Sequence, residues 1–413
     1  MARKGVNSGR VKLVGRENEE RELQQARHGM RKESKRVIVL AAVFLLCLLW
    51  GLIVPVYISN DRPTGLAELL DDFATQMNAV LAFLGGDTGP VEIRLCAVLI
   101  GAAGGCALGL CGSTYQGAFN NNLAAPKTLG VMGGGAFGSL VWVLVLQDYL
   151  VPEIPGGINI TAQINAEYDS WLFAHDFPGW IFSHYGAALF SVLGCFLIVG
   201  LVVLLTTLVG RGRLSSIVVI LFGQVVAGTV TGIISFLRHV YTVDGGIDMA
   251  DQLAEIENYV MFQNYYYEDL LTVLVPITIG IVLVLILRNR LTLLSFGDDE
   301  AQSMGVNVNR VRYIMIFLCT FLTGWAISFC GHVAFLGFIS AHISRKVVGP
   351  DFKFLLPASV FVGGSLLTIL LYIAQSGLPY TDANAAGQYC AIIGGISFLI
   401  LAFREGRRAH GQR

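Results

Sequence analysis

Apolar runs of about twenty residues recur along the chain and constrain its fold more than any other feature. Ten can be drawn, near 37–58, 93–115, 128–147, 187–209, 214–237, 270–288, 311–329, 331–345, 354–374 and 387–403. Only 14% of residues are charged, whereas soluble domains carry about a quarter. The short alternating segments of an outer-membrane barrel are missing. These features predict an all-α, polytopic membrane protein with about ten transmembrane helices.

The charges set the orientation of these helices. If the N-terminus is cytoplasmic, 25 of the 28 Lys and Arg residues, Lys127 included, fall in cytoplasmic segments, while 19 of 29 acids fall outside. Cytoplasmic segments of membrane proteins are enriched in Lys and Arg. We therefore expect both termini to be cytoplasmic. The predicted parts are a basic tail (1–36), a transmembrane domain (37–405), outer loops (59–92, 148–186 and 238–269) and a second tail (406–413).

A polar stretch at 291–310 stands out between two apolar runs. Gly297 and Gly305 bracket a helix-length piece that starts with three acids, Asp298, Asp299 and Glu300. Acids in a first turn interact favourably with the positive end of the helix dipole. A short amphipathic helix on the membrane face could bind a soluble partner, but a solvated loop would show the same pattern.

The sequence carries no signature of a catalytic or metal site. It contains no Walker A, HExxH or GxSxG motif, and its eight Cys lie in apolar runs without metal-ligand spacing. The glycine run 133–138 is expected to pack helices. Ionisable residues, which mark ion paths, are nearly absent from the spans. An ion- or proton-coupled carrier is therefore disfavoured, and the energy for any transport would come from a partner.

Four ordered motifs together resemble the FecCD-type permeases, the membrane subunits of ABC importers for ferric siderophores, haem and cobalamin. The motifs are QGAFNNNLAAPKTLGVMGGGAFG (116–138), LSFGDDEAQSMGVNV (294–308), GHVAFLGFISAHISR (331–345) and the segment 387–398 with its glycine pair Gly394-Gly395. The resemblance covers roughly residues 60–405.

The resemblance implies roles for three groups of residues. The ATPase-coupling loop would use Gly297, Asp298, Asp299, Glu300, Met304, Gly305, Val306 and Asn307. The fifth span would line the translocation pathway through Gln224, Gly228, Thr229, Gly232 and Ser235. Arg94, Arg62 and Arg238 would dock an extracytoplasmic binding protein.

The resemblance also implies partners and a location. The chain would pair with a second permease subunit in the bacterial cytoplasmic membrane and bind lipid but no nucleic acid. It would have no cofactor of its own, because ATP and Mg would be bound by a separate cytoplasmic ATPase. A binding lipoprotein would deliver an iron chelate, with a ferric siderophore expected ahead of haem or cobalamin.

The sequence departs from the family pattern at several prolines. Asn122, His332, Ala341, Ala385 and Ile396 stand where the pattern has proline, while Pro126 and Pro357 are kept. Proline bends a membrane helix, so these bends are expected to be weaker or to be made by glycine. Two alternatives therefore stay open: a secondary carrier, and a non-transporting membrane scaffold of the same fold.

Overall fold

The computed structural model describes residues 29–52, 90–142, 144, 177–210, 216–258, 267–375 and 385–411. The helices in these ranges are α1 (Gly29–Leu52), α2 (Pro90–Ala118), α3 (Val131–Val141), α4 (Phe177–Val209), α5 (Ser216–Asn258), α6 (Tyr267–Ile286), α7 (Arg288–Leu294), α8 (Asp298–Ser303), α9 (Val308–Cys330), α10 (Leu336–Val348), α11 (Phe352–Gln375) and α12 (Ala385–Gly411). A 3-10 turn, Pro126–Leu129, precedes α3. Within these ranges there is no strand, so the all-α prediction is confirmed.

Each of the ten predicted spans corresponds to a helix. Six of the described helices are long and apolar enough to cross a membrane, and α6 with α7, bent by 49° at the break between them, makes a seventh when the pair is counted as one span. The remaining three predicted spans correspond to the shorter helices α3 and α10 and to α12. The polytopic helical architecture is therefore as the apolar runs predict.

Some helix boundaries differ from the prediction. The fifth helix continues to Asn258, so much of the predicted outer loop 238–269 is helical. Helix α4 begins at Phe177, inside the predicted loop 148–186, and α12 runs to Gly411, inside the predicted tail. Apolar runs mark the part of a helix inside the bilayer, and a helix can continue into water beyond it.

Helix α2 lies at the centre of the packing, between α9, α10 and α11. It approaches α11 closely because glycines face each other: a Cβ on Gly105 would lie 2.6 Å from the carbonyl oxygen of Gly363. Likewise, a Cβ on Gly337 of α10 would lie 2.6 Å from the carbonyl oxygen of Leu108. Small residues let helix backbones approach in this way where no water drives association.

The glycine run 133–138 packs α3 against α4, as the sequence predicts. A Cβ on Gly134 would lie 2.5 Å from the carbonyl oxygen of Gly194, and the backbones of Gly138 and Phe190 are closer still. The run begins after Gly130, whose positive φ of 77° joins the 3-10 turn to α3. It forms a helix contact and no phosphate loop.

The chain between α9 and α10 is irregular. Residues 331–335 leave the end of α9 with Gly331 and Phe335 both at positive φ, 71° and 64°. Helix α10 is therefore short, thirteen residues, and starts later than the predicted span 331–345. His332, which stands where the family pattern has proline, lies in this irregular segment and outside any helix. A proline is therefore not needed there to bend a helix.

Lys127, which the charge count assigns to a cytoplasmic segment, contacts the start of a short helix. Its ammonium group stands 4.1 Å from the centroid of the Phe335 ring, at the start of the short helix α10. Gly130, three residues further along the chain, packs against Ile198 of α4 and Gly223 of α5. The second half of the segment, residues 124–130, is therefore packed against the helix bundle, although the Lys127 side chain itself is exposed.

Candidate functional site

The first part of the candidate site is the short helix α8, in the stretch that the charge pattern predicts to be cytoplasmic. Gly297 and Gly305 flank it with φ values of +114° and +81°, in the region where residues with a Cβ are strained. The turn after the helix is closed by Val306 N–H, which donates to the carbonyl of Ala301 over 3.0 Å. The predicted helix between the two glycines is confirmed, and glycine is needed at both ends for a local conformational reason.

Helix α8 has one buried side and one exposed side. Ala301 and Val306 are buried in the apolar core, together with Leu291 and Leu294 of α7. Asp299 and Glu300 are exposed, and Met304 keeps 47% of its surface accessible. The buried side attaches the helix to the membrane domain, so the exposed side is a firmly placed acidic and apolar surface.

Arg312 of α9 holds the first acid of α8 in place. Its Nη1 and Nη2 donate to the two carboxylate oxygens of Asp298 over 2.9 and 2.8 Å. Its Nε donates to the carbonyl oxygen of Ala118, the last residue of α2, over 2.7 Å. The Arg312 side chain is only 4% exposed, and forked ion pairs of this kind fix geometry as well as charge.

This connection joins three helices at one point. A displacement of α8 would be transmitted through Asp298 and Arg312 to the start of α9 and the end of α2. Asn307 stabilises the same start of α9, because its side-chain oxygen accepts the N–H of Arg310 over 3.0 Å. The predicted coupling residues therefore fall into two groups. Asp299, Glu300 and Met304 are exposed to a partner, whereas Asp298, Val306 and Asn307 attach the loop to the membrane domain.

Arg312 is the residue that the sequence did not single out. It is one of four arginines at the edges of the polar stretch, and sequence alone gives no reason to prefer it to Arg288, Arg290 or Arg310. The signal lies in burial: within the described chain it is the single charged side chain that is buried.

The second part of the candidate site is the open side of α5. The five predicted pathway residues, Gln224, Gly228, Thr229, Gly232 and Ser235, are all exposed. The opposite side of α5 packs against the 3-10 turn, α3 and α4 through Gly223, Val226 and Val230. Nothing lies within 4 Å of a Cβ built on Gly228 or Gly232. The open side of α5 therefore combines small and weakly polar residues with exposed apolar side chains such as Leu221, Val225 and Phe236.

The predicted docking arginines cannot be placed as side chains. The backbones of Arg94 and Arg238 lie in α2 and α5, but their side chains are outside the description. Arg62 and most of the predicted outer loop 59–92 lie outside the described residues, which resume at Pro90. The docking role of these arginines stays a prediction.

No group of metal-ligating side chains forms in the part of the chain that the structure describes. A helical domain with packed glycines, membrane-length apolar helices and an exposed loop helix fixed to α2 and α9 together define a multi-pass helical membrane protein. The model of the FecCD transport family matches residues 70–404. The chain therefore belongs to the FecCD transport family, and it is a multi-pass protein of the cytoplasmic membrane.

Curated relatives carry several different cargo names. The molybdate import system permease protein MolB of Haemophilus influenzae is 27% identical over 319 residues, covering 76% of this chain and 81% of the relative. The Fe(3+)-citrate import system permease protein YfmE of Bacillus subtilis is also 27% identical, with 77% and 82% covered. The hemin transport system permease protein HmuU of Yersinia pestis is 24% identical, with 78% and 85% covered.

A solved structure shares the fold. The chain of a metal-chelate type ABC transporter in an inward-facing conformation aligns with a TM-score of 0.64 at 22% identity, covering 90% of this chain and 99% of that one. The similarity confirms the helical permease fold.

Proposed function

We propose that this chain is the permease subunit of an ATP-driven importer for a metal chelate, with a ferric chelate as cargo. It forms the translocation pathway, and a separate cytoplasmic ATPase binds ATP and Mg and supplies the energy. A second permease subunit completes the pathway, and an extracytoplasmic binding protein delivers the cargo. The family match supports the class of protein, and the printed cargoes of the relatives, Fe(3+)-citrate and hemin among them, support a metal-containing cargo.

The observation that carries the proposal is the attachment of α8. Its outward side, Asp299, Glu300 and Met304, offers a soluble partner an acidic and apolar surface. Its inward side is fixed through Asp298 to Arg312, and through Arg312 to Ala118. A partner that moves on ATP binding would therefore pull on α2 and α9 together. Such a switch needs each state to be favoured by only a few kcal/mol.

The open side of α5 supports the pathway assignment. Exposed glycines and short polar side chains lie among exposed apolar side chains on this surface, and such a weakly polar surface suits a bulky cargo whose selection occurs elsewhere. The same surface of a second subunit would face the open side of α5 across the pathway. Cargo selection would then belong mainly to the binding protein.

The ion-coupled carrier has less support. Such carriers place ionisable residues inside the bundle, paired or coordinating the coupling ion. Among the described residues the buried charged side chain is Arg312, and it is engaged by Asp298 in the attachment of α8. Binding of an ATPase distinguishes the importer from the non-transporting scaffold.

The test is purification of the tagged protein from its own membrane in mild detergent, with mass spectrometry of what accompanies it. The proposal predicts an ATPase with a Walker A motif and an extracytoplasmic binding protein. As a matched pair, Glu300→Lys should reduce the recovered ATPase, whereas Lys346→Glu, on the exposed end of α10, should not. Recovery of no ATPase from the wild-type chain would contradict the proposal.

A further inference from the structure

Lys127 is a positive charge on the open side of the helix bundle, away from the helix ends. Two distances measured along helices give its depth. Thr128, the next residue, packs against Gly223, which lies seven residues or about 10 Å into α5. Val131 accepts a bond from Cys195 Sγ, which packs on Gly324, twelve residues or about 18 Å beyond Arg312 in α9. Lys127 comes before Val131 and next to Thr128, so it lies about 10 Å from the predicted cytoplasmic helix ends, and a hydrocarbon core is about 30 Å thick.

The ammonium group of Lys127 does not reach the membrane surface. A lysine near a helix end can extend its stem to water, but that stem spans only about 6 Å, less than the depth of this residue. The group instead lies 4.1 Å from the centroid of the Phe335 ring, a cation–π contact. Within the described chain no carboxylate lies at ion-pair distance from it. Its charge is therefore uncompensated by an acid.

Lys127 also lies beside the proposed pathway. Its side chain is exposed in the single chain. Thr128 contacts Gly223 of α5, next to Gln224 on the open side, while Phe335 contacts Gly394 of α12. Lys127 is thus placed between α5 and α12. A charged side chain in a membrane protein's interior faces a water-filled path or a partner, since lipid would not solvate it.

The two helices on either side of Lys127 carry no acid at membrane depth. Residues 216–243 and 385–403, which contain the membrane-depth parts of α5 and α12, have no Asp or Glu. His332, exposed three residues before Phe335, is the other ionisable side chain of the segment that Lys127 contacts. A path lined by one sign of charge in a medium of low dielectric constant raises the local concentration of the opposite charge.

We propose that Lys127 contacts the cargo in the pathway and favours cargo of net negative charge, such as a ferric polycarboxylate or another anionic metal chelate. This inference rests on the proposed function. The charge acts at the inner part of the pathway, after delivery by the binding protein, so it is a second selection step. The Phe335 ring holds the ammonium group without neutralising it, which leaves the charge available to the cargo.

The test uses the complete transporter in a host without its own ferric uptake, with three ⁵⁵Fe-labelled probes: ferric citrate (anionic), ferrichrome (neutral) and ferrioxamine B (cationic). We expect wild type to import the anionic probe, Lys127→Met to lower that uptake about tenfold, and Lys127→Arg to retain most of it. Lys346→Met, which removes an exposed charge at the end of α10, is the matched control and should leave uptake unchanged.

Each outcome decides between the two claims. If Lys127→Met imports the anionic probe as well as wild type does, the inference about cargo charge is wrong and the importer proposal stands. If wild type imports only the neutral or the cationic probe, the inference about cargo charge is also wrong and the importer proposal again stands. Import of none of the three would contradict the ferric-chelate importer itself.

A second measurement does not depend on uptake. In Lys127→Cys, a membrane-impermeant thiol reagent should label position 127 in at least one nucleotide state. The wild-type chain, with seven of its eight cysteines buried, gives the background. Absence of labelling above that background in every state would show that position 127 does not face an aqueous path.

Discussion

Removing the carboxylate of Asp298 should loosen the coupling loop without unfolding the protein. Breaking a buried ion pair by removing one partner costs about 3–5 kcal/mol, and an exposed pair is worth no more than about 1 kcal/mol. This pair is intermediate, because Arg312 is 4% exposed and Asp298 is 48% exposed. We therefore expect Asp298→Ala to cost about 2 kcal/mol, roughly a thirtyfold change in the equilibrium between attached and detached α8.

The prediction separates attachment from docking. Asp298→Ala should lower the thermal midpoint of the isolated permease by about 2–4 °C, whereas Asp299→Ala, on the exposed side, should leave it within about 0.5 kcal/mol of wild type. Both variants should reduce cargo imported per ATP hydrolysed in proteoliposomes, since each affects the proposed ATPase contact.

A double-mutant cycle identifies the partner of Asp298. Asp298→Ala and Arg312→Ala should be strongly non-additive in the stability of the isolated chain, because the second change removes the charge that the first leaves uncompensated. Asp299→Ala and Arg312→Ala should be additive. Additivity of the first pair, or an equal loss of stability in Asp299→Ala, would refute the attachment described here.

Three further predictions concern glycines. Gly112→Val should prevent folding, because the new side chain would meet the backbone of Gly337. The measurement is loss of the monodisperse peak in size-exclusion chromatography. The control is Gly200→Val, whose side chain meets nothing within 4 Å and which should fold normally. Gly305→Ala should destabilise the loop by about 1–2 kcal/mol through its φ of +81°, measured as faster amide exchange in 298–306, and unchanged exchange would contradict the strain. Gly228→Trp should fold but block uptake; normal uptake would show that this side of α5 does not line the pathway.

Most of the fold was predictable from apolar runs and charge. A twenty-residue apolar run has essentially one stable structure in a bilayer, so the spans follow from hydropathy alone. The extension of α5 to Asn258 could not be predicted in this way, because residues 244–258 are polar and a helix in water leaves no apolar run. The close glycine contacts were predictable in kind, since small residues pack membrane helices, but their pairing was not.

The candidate site was predictable only in part. The sequence identifies the short helix between Gly297 and Gly305 and its acidic first turn. It does not show that Asp298, although half-exposed, is the acid of α8 that pairs with Arg312, because Arg312 lies fourteen residues away across a turn. The contact between Lys127 and Phe335 was also not predictable, because a single lysine between apolar runs has the pattern of a loop charge until the packing of 126–131 is known.

The most direct test of the central claim is photo-crosslinking from the exposed side of α8 in the native membrane. A benzophenone side chain at Met304, which is 47% exposed, should capture an ATP-binding subunit, and a change of nucleotide state should alter the yield. The same group at Ser235, on the open side of α5, should capture no ATPase. If Met304 captures no ATP-binding protein in any nucleotide state, α8 is not the coupling element and the importer mechanism is wrong.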